Sequence, residues 1–158
     1  MDDQFKIFVE QLREGKEQQI QESLAPDFLD VQDEDLTFDR PVELKGVTYL
    51  AEDELILHWD IHTTAKIPCS ICNDQVEVPV DITNFYASEA LEEIKTGIYN
   101  FKDLLRETIL LEVPPFVECH GGSCPKRKEF DKYLKKPSES TPEQEDGYQP
   151  FADLDWKP

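Results

Sequence analysis

The chain has 158 residues, enough for one domain with a tail, and 39% of them are hydrophobic, which excludes a wholly disordered acidic protein. It carries 35 acidic against 16 basic residues, a formal charge of −19. A chain this acidic repels phosphate backbones unless its positive charge is gathered in one place, so basic proteins are the more natural partners.

The first residues and the cysteines indicate the cellular compartment of the protein. The first residues are acidic where a secretory signal needs basic ones, and no apolar run follows them. No stretch approaches the roughly 18 apolar residues that a membrane-spanning helix needs. We therefore expect a cytoplasmic protein without a membrane partner. In a reducing cytoplasm, cysteines serve more often as metal ligands or spare thiols than in disulfides.

Alternation of apolar and polar residues predicts strands through the first half of the chain. FKIFV, residues 5–9, predicts a first strand, REG at 13–15 predicts a turn, and a polar stretch then leads to Phe28 and Leu29. A second turn is predicted at Gly46. The residues predicted to share one face of the later strands are Leu36, Phe38, Val42, Leu44, Leu55, Leu57, Trp59, Ile61, Val76, Val78, Val80 and Ile82. This pattern indicates an antiparallel sheet with one wet face.

Two helices are predicted after the strands. ASEALEEI, residues 87–94, has strong helix formers and an acidic first turn, with Ser88 as the N-cap. FKDLLRETILLEV, residues 101–113, predicts an amphipathic helix that ends before Pro114. The residues at helical spacing on its inner face are Phe101, Leu104, Leu105 and Thr108, continued by Ile109 and Leu111. The predicted fold is therefore α+β: mainly antiparallel β-sheet with one or two packed helices and a flexible C-terminal tail.

Composition predicts where the domain ends. Residues 1–136 are predicted to form a single antiparallel-sheet domain with paired cysteines. Residues 137–158 form an acidic Pro/Ser/Glu-rich tail that ends in the apolar cluster PFADLDW. Within that cluster, Phe151, Leu154 and Trp156 either fold back over an edge of the domain or anchor a partner.

The cysteines form two pairs. Cys69 and Cys72 make a C-x2-C, and Cys119 and Cys124 make a C-x4-C with two glycines between them. Four thiolates complete a tetrahedral structural zinc site, and glycines relieve the tight backbone that such a site demands. The two pairs together therefore favour zinc bound by all four cysteines.

The cysteine pattern also fits arrangements without a four-cysteine zinc site. The two pairs lie farther apart than the roughly 15–20 residues of common zinc signatures. His120 could replace one cysteine as a ligand, and the thiols could equally stay unligated or form an optional disulfide. A redox dithiol is disfavoured, since a polar turn and a strand follow Cys72 where a reactive pair needs a helix N-terminus.

Two further segments are candidate sites. HWDIH places His58, Asp60 and His62 on one face of a strand. Such a face can bind a metal ion, but it is more often the solvent-exposed face of a half-buried strand, which is the interpretation we favour. KRKEFDKYLKK, residues 126–136, has six basic and two acidic residues, a local charge of +4. A solvated helix is the simpler interpretation of this segment, and contact with RNA is the alternative. The candidate RNA-contacting residues are Lys126, Arg127, Lys128 and Lys132.

Known catalytic motifs do not occur in the sequence. It has no Gly-rich phosphate loop, no G-x-S-x-G and no H-E-x-x-H. Carboxylates are abundant along the whole chain, so a pair of them carries no information. We therefore do not expect an enzyme, and we expect no small-molecule substrate.

Four segments follow one another along the chain: QLREGKEQQIQESLAPDFLDV, IPCSICNDQVEVPVDI, NFKDLLRETILLEVPP and PFADLDWK. In this order they resemble the YceD family of bacterial proteins, which is linked to accumulation of large-subunit ribosomal RNA. The second and third are the more specific, because the family has a C-x-R-C pair closing a strand and a D-L-x-x-x-v-x-E-x-I-x-L-x-L-P helix after it. Here Ile71 stands where the family usually has arginine, and Glu112 interrupts the apolar exit from the helix.

The resemblance implies a cytoplasmic, non-catalytic ribosome-biogenesis factor that supports large-subunit rRNA processing or accumulation. Its implied partners are ribosomal or rRNA-processing proteins, with precursor large-subunit rRNA as a further candidate. The family has no assigned active site, so no catalytic residue is carried over. The alternative is a zinc-stabilised acidic protein-binding regulatory module not tied to ribosomes.

Overall fold

The computed structural model describes residues 3–130. The chain divides into two units, Met1–Pro125 and Lys126–Pro158, and residues 126–130 are the described part of the second. The strands are β1 (Lys6–Phe8), β2 (Gln18–Leu24), β3 (Val42–Ala51), β4 (Glu54–Pro68), β5 (Gln75–Ala90) and β6 (Ile98–Asn100). The helices are α1 (Lys102–Glu112), the single turns α2 (Cys119–Gly122) and α3 (Arg127–Phe130), and 3-10 turns at Asp3–Phe5, Val9–Gly15, Pro26–Leu29 and Leu91–Glu93.

Antiparallel pairing builds the first unit. Four strands form one sheet in the order β2-β3-β4-β5, and β1 pairs with β6 in a second, two-stranded sheet. The strand β4 carries 15 residues and β5 carries 16, so this pair forms the long spine of the unit. The predicted fold, α+β and mainly antiparallel sheet, is confirmed.

The core lies on one face of the four-stranded sheet, centred on Trp59. This side chain is 1% exposed, and its Nε1–H donates to the buried Oγ1 of Thr48 at 3.1 Å. Its indole ring lies 4.9 Å from the ring of Phe101, the residue directly before α1. Burying a large side chain is worth about 1.5–3 kcal/mol, so this contact fixes the start of α1 against the sheet.

The helix α1 has the predicted amphipathic character. Leu105 and Ile109 are fully buried, and the helix ends at Glu112, shortly before the two prolines. The inward placement predicted for Leu111 is wrong, because its side chain is 77% exposed. Two residues of helix rotate the chain by about 200°, which carries Leu111 away from the face of Ile109. In the part of the chain that the structure describes, no helix combines the length and apolar composition needed to cross a membrane.

The turn predicted at Gly46 is wrong. Gly46 lies inside β3 and pairs with Trp59, and the connection to β4 comes at residues 52–53. A Cβ on Gly46 would meet the carbonyl oxygen of His58 and would lie 2.7 Å from Trp59 Cα. The glycine therefore makes room for the tryptophan, and it does not mark a turn.

Two other elements differ from the sequence-based prediction. Residues 18–24, predicted as a polar connection, form the edge strand β2. An edge strand needs few buried side chains, and β2 buries Ile20 and Leu24. The helix predicted over residues 87–94, with Ser88 as its N-cap, is wrong, since β5 continues through Ala90. Pairing with β4 overrides the local preference for helix.

A bulge interrupts the alternation of apolar and polar residues along β5. The register between β4 and β5 shifts between Trp59 and Ile61, and the Oδ1 of Asp60 accepts the backbone N–H of Asn84 at 2.9 Å. Asn84 adopts a left-handed φ of 56°, which asparagine tolerates well. Before the bulge, the β5 residues that lie opposite the core residues of β4 have even numbers, as Ile82 does opposite Ile61. After the bulge they have odd numbers, as Phe85 does opposite Trp59.

We expect Gly46→Ala to destabilise the protein by about 1–3 kcal/mol, because the new methyl group overpacks the β3–β4 contact. Urea unfolding followed by tryptophan fluorescence measures the change. Gln21→Ala, at an exposed position of β2, is the control and should leave stability nearly unchanged. Equal stability of the two variants would contradict the close approach of the strands.

Candidate metal centre

The four cysteines meet at one point. Their sulfur atoms all lie within 4.8 Å of one another, and the Sγ atoms of Cys72 and Cys119 are 3.6 Å apart. All four are free thiols, and Cys72 alone among them is partly exposed. This proximity confirms the clustering that the two sequence pairs predicted, and the four residues could bind a metal ion. We call these four residues the thiol quartet.

The first pair sits in the turn that joins β4 to β5. The N–H of Cys69 donates to the carbonyl of Asp74 at 2.7 Å, and the N–H of Asn73 donates to the carbonyl of Cys69 at 2.9 Å. Asn73 has a left-handed φ of 66°, which reverses the chain directly after Cys72. This tight turn brings the two cysteines of the pair to the same side.

The second pair arrives after α1. The N–H of Ser70 donates to the carbonyl of Val117 at 2.8 Å, which ties the incoming chain to the first pair. The turn after Cys119 then contains three successive residues with positive φ: His120, Gly121 and Gly122. Glycine adopts this conformation at little cost, so the two glycines have the backbone role that the sequence predicted.

Backbone N–H groups point at the sulfur of Cys69. Ile71 N lies 3.5 Å and Cys119 N lies 3.3 Å from this Sγ. The N–H of Cys124 instead donates to Oε1 of Glu118 at 2.9 Å, which closes the second loop. N–H groups aimed at a sulfur stabilise its thiolate, the form that binds metals.

The sulfurs differ in acidity. Burial raises the pKa of Cys69, but backbone N–H groups, foremost those of Cys72 and Cys119, outweigh burial and lower this pKa to about 6. Burial, with hydrogen bonds to the other sulfurs, raises the pKa of Cys119 far above its usual range. At Cys72 the backbone N–H of Asp74 lowers the pKa, but burial and the sulfurs of Cys69 and Cys124 outweigh it and raise the pKa. Without a cation the quartet therefore favours one thiolate, at Cys69.

This geometry determines what the quartet can do chemically. The separation of 3.6 Å between Cys72 and Cys119 is far longer than the roughly 2.05 Å of a disulfide bond. A four-thiolate site leaves a tetrahedral ion no open position, which is the arrangement of structural rather than catalytic metal sites. Cys69, whose thiol pKa is lowered to about 6, is a residue only 2% exposed and is therefore poorly placed to attack another molecule.

His120 lies beside the quartet. Its Nδ1 is 3.2 Å from the sulfur of Cys119, within hydrogen-bond reach, and its side chain is otherwise exposed. The group of ligand atoms close enough for one ion consists of the four cysteines. His120 is thus placed to donate to a ligand sulfur while the cysteines supply all four ligands.

The histidines of β4 are engaged in other contacts. Nδ1 of His62 lies 2.9 Å from Oδ1 of Asp81, Asp60 supports the bulge, and the ring of His58 packs edge-on to Tyr86 at 6.5 Å. Among residues 3–130 the thiol quartet is the one group of three or more metal-binding side chains close enough for a shared ion. These contacts agree with the wet-face interpretation of HWDIH.

The remaining candidate residues lie in the second unit. Lys126, Arg127 and Lys128 are exposed, at and just before α3. Lys132 and the predicted partner anchor lie outside the described residues. The anchor comprises Phe151, Leu154 and Trp156.

Sequence reasoning missed two residues that shape the site. Asn73 reverses the chain after the first pair, and Glu118 caps the second loop through the N–H of Cys124. An asparagine directly after a C-x2-C was an available signal, because asparagine is enriched at positive φ. Nothing in the sequence pattern distinguishes Glu118 from the many other acidic residues.

Comparison of the chain with models of known protein families, with curated proteins and with solved structures finds no match.

In metal-free protein we expect one thiolate to persist down to about pH 6, because the lowered pKa of Cys69 keeps its deprotonated form until the pH falls through that value. Ultraviolet absorbance of the thiolate, recorded against pH, measures this. Cys69→Ser should remove the low-pH step, and Cys124→Ser, the matched control, should retain a thiolate below neutral pH. Absorbance that rises only in the range of an unperturbed cysteine would contradict the assignment.

Proposed function

We propose that this protein is a non-catalytic ribosome-biogenesis factor, closed by a structural zinc ion, that supports large-subunit rRNA processing or accumulation. The observation that carries the proposal is the meeting of the four cysteines at one point. Cys69 and Cys72 lie within the first of the two segments on which the resemblance to the YceD family is most specific, and Cys119 and Cys124 follow the second.

The geometry of the quartet supports zinc. A tetrahedral zinc ion with Zn–S bonds of ~2.3 Å places its sulfurs about 3.8 Å apart. The 3.6 Å between Cys72 and Cys119 is close to that edge length, and none of the sulfur separations exceeds 4.8 Å. A small rearrangement on binding completes the tetrahedron. Three of the four cysteines are buried, as expected for an ion that stabilises a fold.

Charge supports the choice of partners. The net charge of −19 favours association with basic proteins, and ribosomal proteins offer that chemistry. The cations of residues 126–136 are the candidate contact for precursor rRNA: Lys126, Arg127, Lys128 and Lys132. The proposed factor acts in the cytoplasm, where it joins ribosomal or rRNA-processing proteins to the maturing large subunit.

A second function fits the same site. Leu111 and Phe116 are 77% and 79% exposed, and exposed large apolar side chains are typical of protein-binding surfaces. A zinc-stabilised acidic module that binds a regulatory partner unrelated to ribosomes would use the same residues. The two functions predict different co-purifying material: ribosomal precursors in the first case and a non-ribosomal partner protein in the second.

We expect a tagged copy of the protein to co-purify with precursors of the large ribosomal subunit. Particles are isolated with and without nuclease, and their RNA and proteins are identified. Reversing three cations in K126E/R127E/K128E should lower the nuclease-sensitive share of the recovered material, because this segment is the proposed RNA contact. The control K16E/K45E/K95E makes the same charge change at three exposed lysines elsewhere and should leave that share unchanged.

Two results would count against this function. Recovery of a defined partner without any ribosomal material would favour the regulatory module. Equal loss of RNA in the two triple variants would remove the specific role of residues 126–128 and leave only a general effect of charge.

A further inference from the structure

A groove opens in the first unit between the end of α1 and the chain after Leu29. Its volume is about 460 Å³. The residues that line it come from three segments that are distant in sequence: the loop at 30–36, Ile67 at the end of β4, and the last turns and exit of α1 at 106–115. This groove is separate from the thiol quartet, although Ile67 lies only two residues before Cys69.

The floor of the groove is apolar. Leu36, Leu110 and Val113 line it, and each is half-buried, so each presents apolar surface to the groove. Nε of Arg106 donates to the carbonyl of Leu29 at 2.7 Å, which fixes the helix to the loop. This hydrogen bond positions the helical wall of the groove against the loop.

The rim of the groove is acidic. Asp30 and Asp33 line it and are exposed, and the exposed Glu34 and Asp35 follow directly in the chain. Oδ1 of Asp33 accepts the backbone N–H of Asp35 at 2.9 Å, which orders this turn of the loop. From residue 30 to residue 39 the chain carries five carboxylates and no lysine or arginine. The one cation of the lining, Arg106, leaves the rim with a net negative charge.

Exposed apolar side chains extend the groove along the chain. Leu111 follows Leu110 of the lining, and Phe116 follows Pro115 of the lining. Their exposures, 77% and 79%, are the largest among the exposed large apolar residues of the described chain. A partner that fills the groove can therefore also cover Leu111 and Phe116, the exposed apolar side chains on either side of Pro114 and Pro115.

We propose that this groove binds a basic amphipathic segment of another protein, one that combines large apolar side chains with lysine or arginine. The apolar side chains pack on Leu36, Leu110 and Val113, and the cations lie against Asp30 and Asp33. Charge complementarity selects this occupant, since an acidic or purely apolar segment would leave the rim carboxylates unpaired or repelled. Such a segment is the partner class for the proposed function, and the role of the groove in the cell rests on that function.

The thiol quartet holds one wall of the groove. The N–H of Ser70 donates to the carbonyl of Val117, and Cys119 lies two residues farther on. The segment from Val113 to Val117 is thus fixed at one end by α1 and at the other by the quartet. Metal removal is expected to weaken binding in the groove as well as the fold of the quartet.

The test is a titration of isotope-labelled protein with a synthetic lysine–leucine peptide of the pattern KLLKKLLK, followed by amide chemical shifts. We expect shifts at Val31, Leu36, Leu110 and Val113, and no comparable shifts with the charge-inverted peptide ELLEELLE. Loss of two rim charges in D30N/D33N should weaken binding roughly threefold to tenfold. The control E92Q/E93Q removes the same charge at two exposed residues that do not line the groove, and it should bind like the unaltered chain.

Three outcomes would overturn the groove proposal: shifts confined to another surface, equal binding of the two peptides, or equal weakening in D30N/D33N and E92Q/E93Q. The spectra themselves report whether each variant is folded. Failure of this proposal is separable from failure of the proposed function. Ribosomal recovery without groove binding overturns only the groove, and groove binding without ribosomal recovery overturns only the function.

Discussion

Four thiols that converge on one point tie the turn between β4 and β5 to the chain that follows α1. Four sulfurs within 4.8 Å of one another cannot all ionise without a cation between them, because neighbouring thiolates repel one another. Burial and hydrogen bonds to the other sulfurs raise the pKa of Cys119, whereas backbone N–H groups lower the pKa of Cys69. A bound cation would offset this repulsion and would cross-link the chain across the 47 positions from Cys72 to Cys119. Such a cross-link would hold the exit of α1 and one wall of the acidic groove, which the hydrogen bond from Ser70 to Val117 already ties to the first cysteine pair.

The sheet supplies the rigid frame that the cross-link needs. Gly46 lets β3 approach Trp59, and the indole fixes both Thr48 and Phe101, so α1 begins at a defined place. The quartet then fixes the chain that leaves α1. With both ends held, the helix and its exit present the same groove to any partner. A preformed groove of this kind loses less conformational entropy on binding than a mobile segment would.

Much of this arrangement could be predicted from sequence, and the failures have physical reasons. Period-two alternation located β4 and the first half of β5, and the two cysteine pairs predicted the quartet. The helix predicted over residues 87–94 failed because pairing with β4 outweighs helix propensity, and the bulge near Asn84 hid the alternation that would have shown a strand. The groove could not be predicted, since its lining comes from three segments that only the fold brings together.

Hydrogen exchange of metal-free protein, before and after one equivalent of zinc, is the most direct test of the role given to the quartet. We expect zinc to slow exchange at residues 69–73 and 113–124, because the cross-link fixes both segments, and to leave the centre of β4 around Trp59 as it was. Cys72→Ser should abolish the change. Unaltered exchange at both segments, or zinc that does not bind at all, would contradict the central claim that a metal-bound thiol quartet holds the exit of α1 in place.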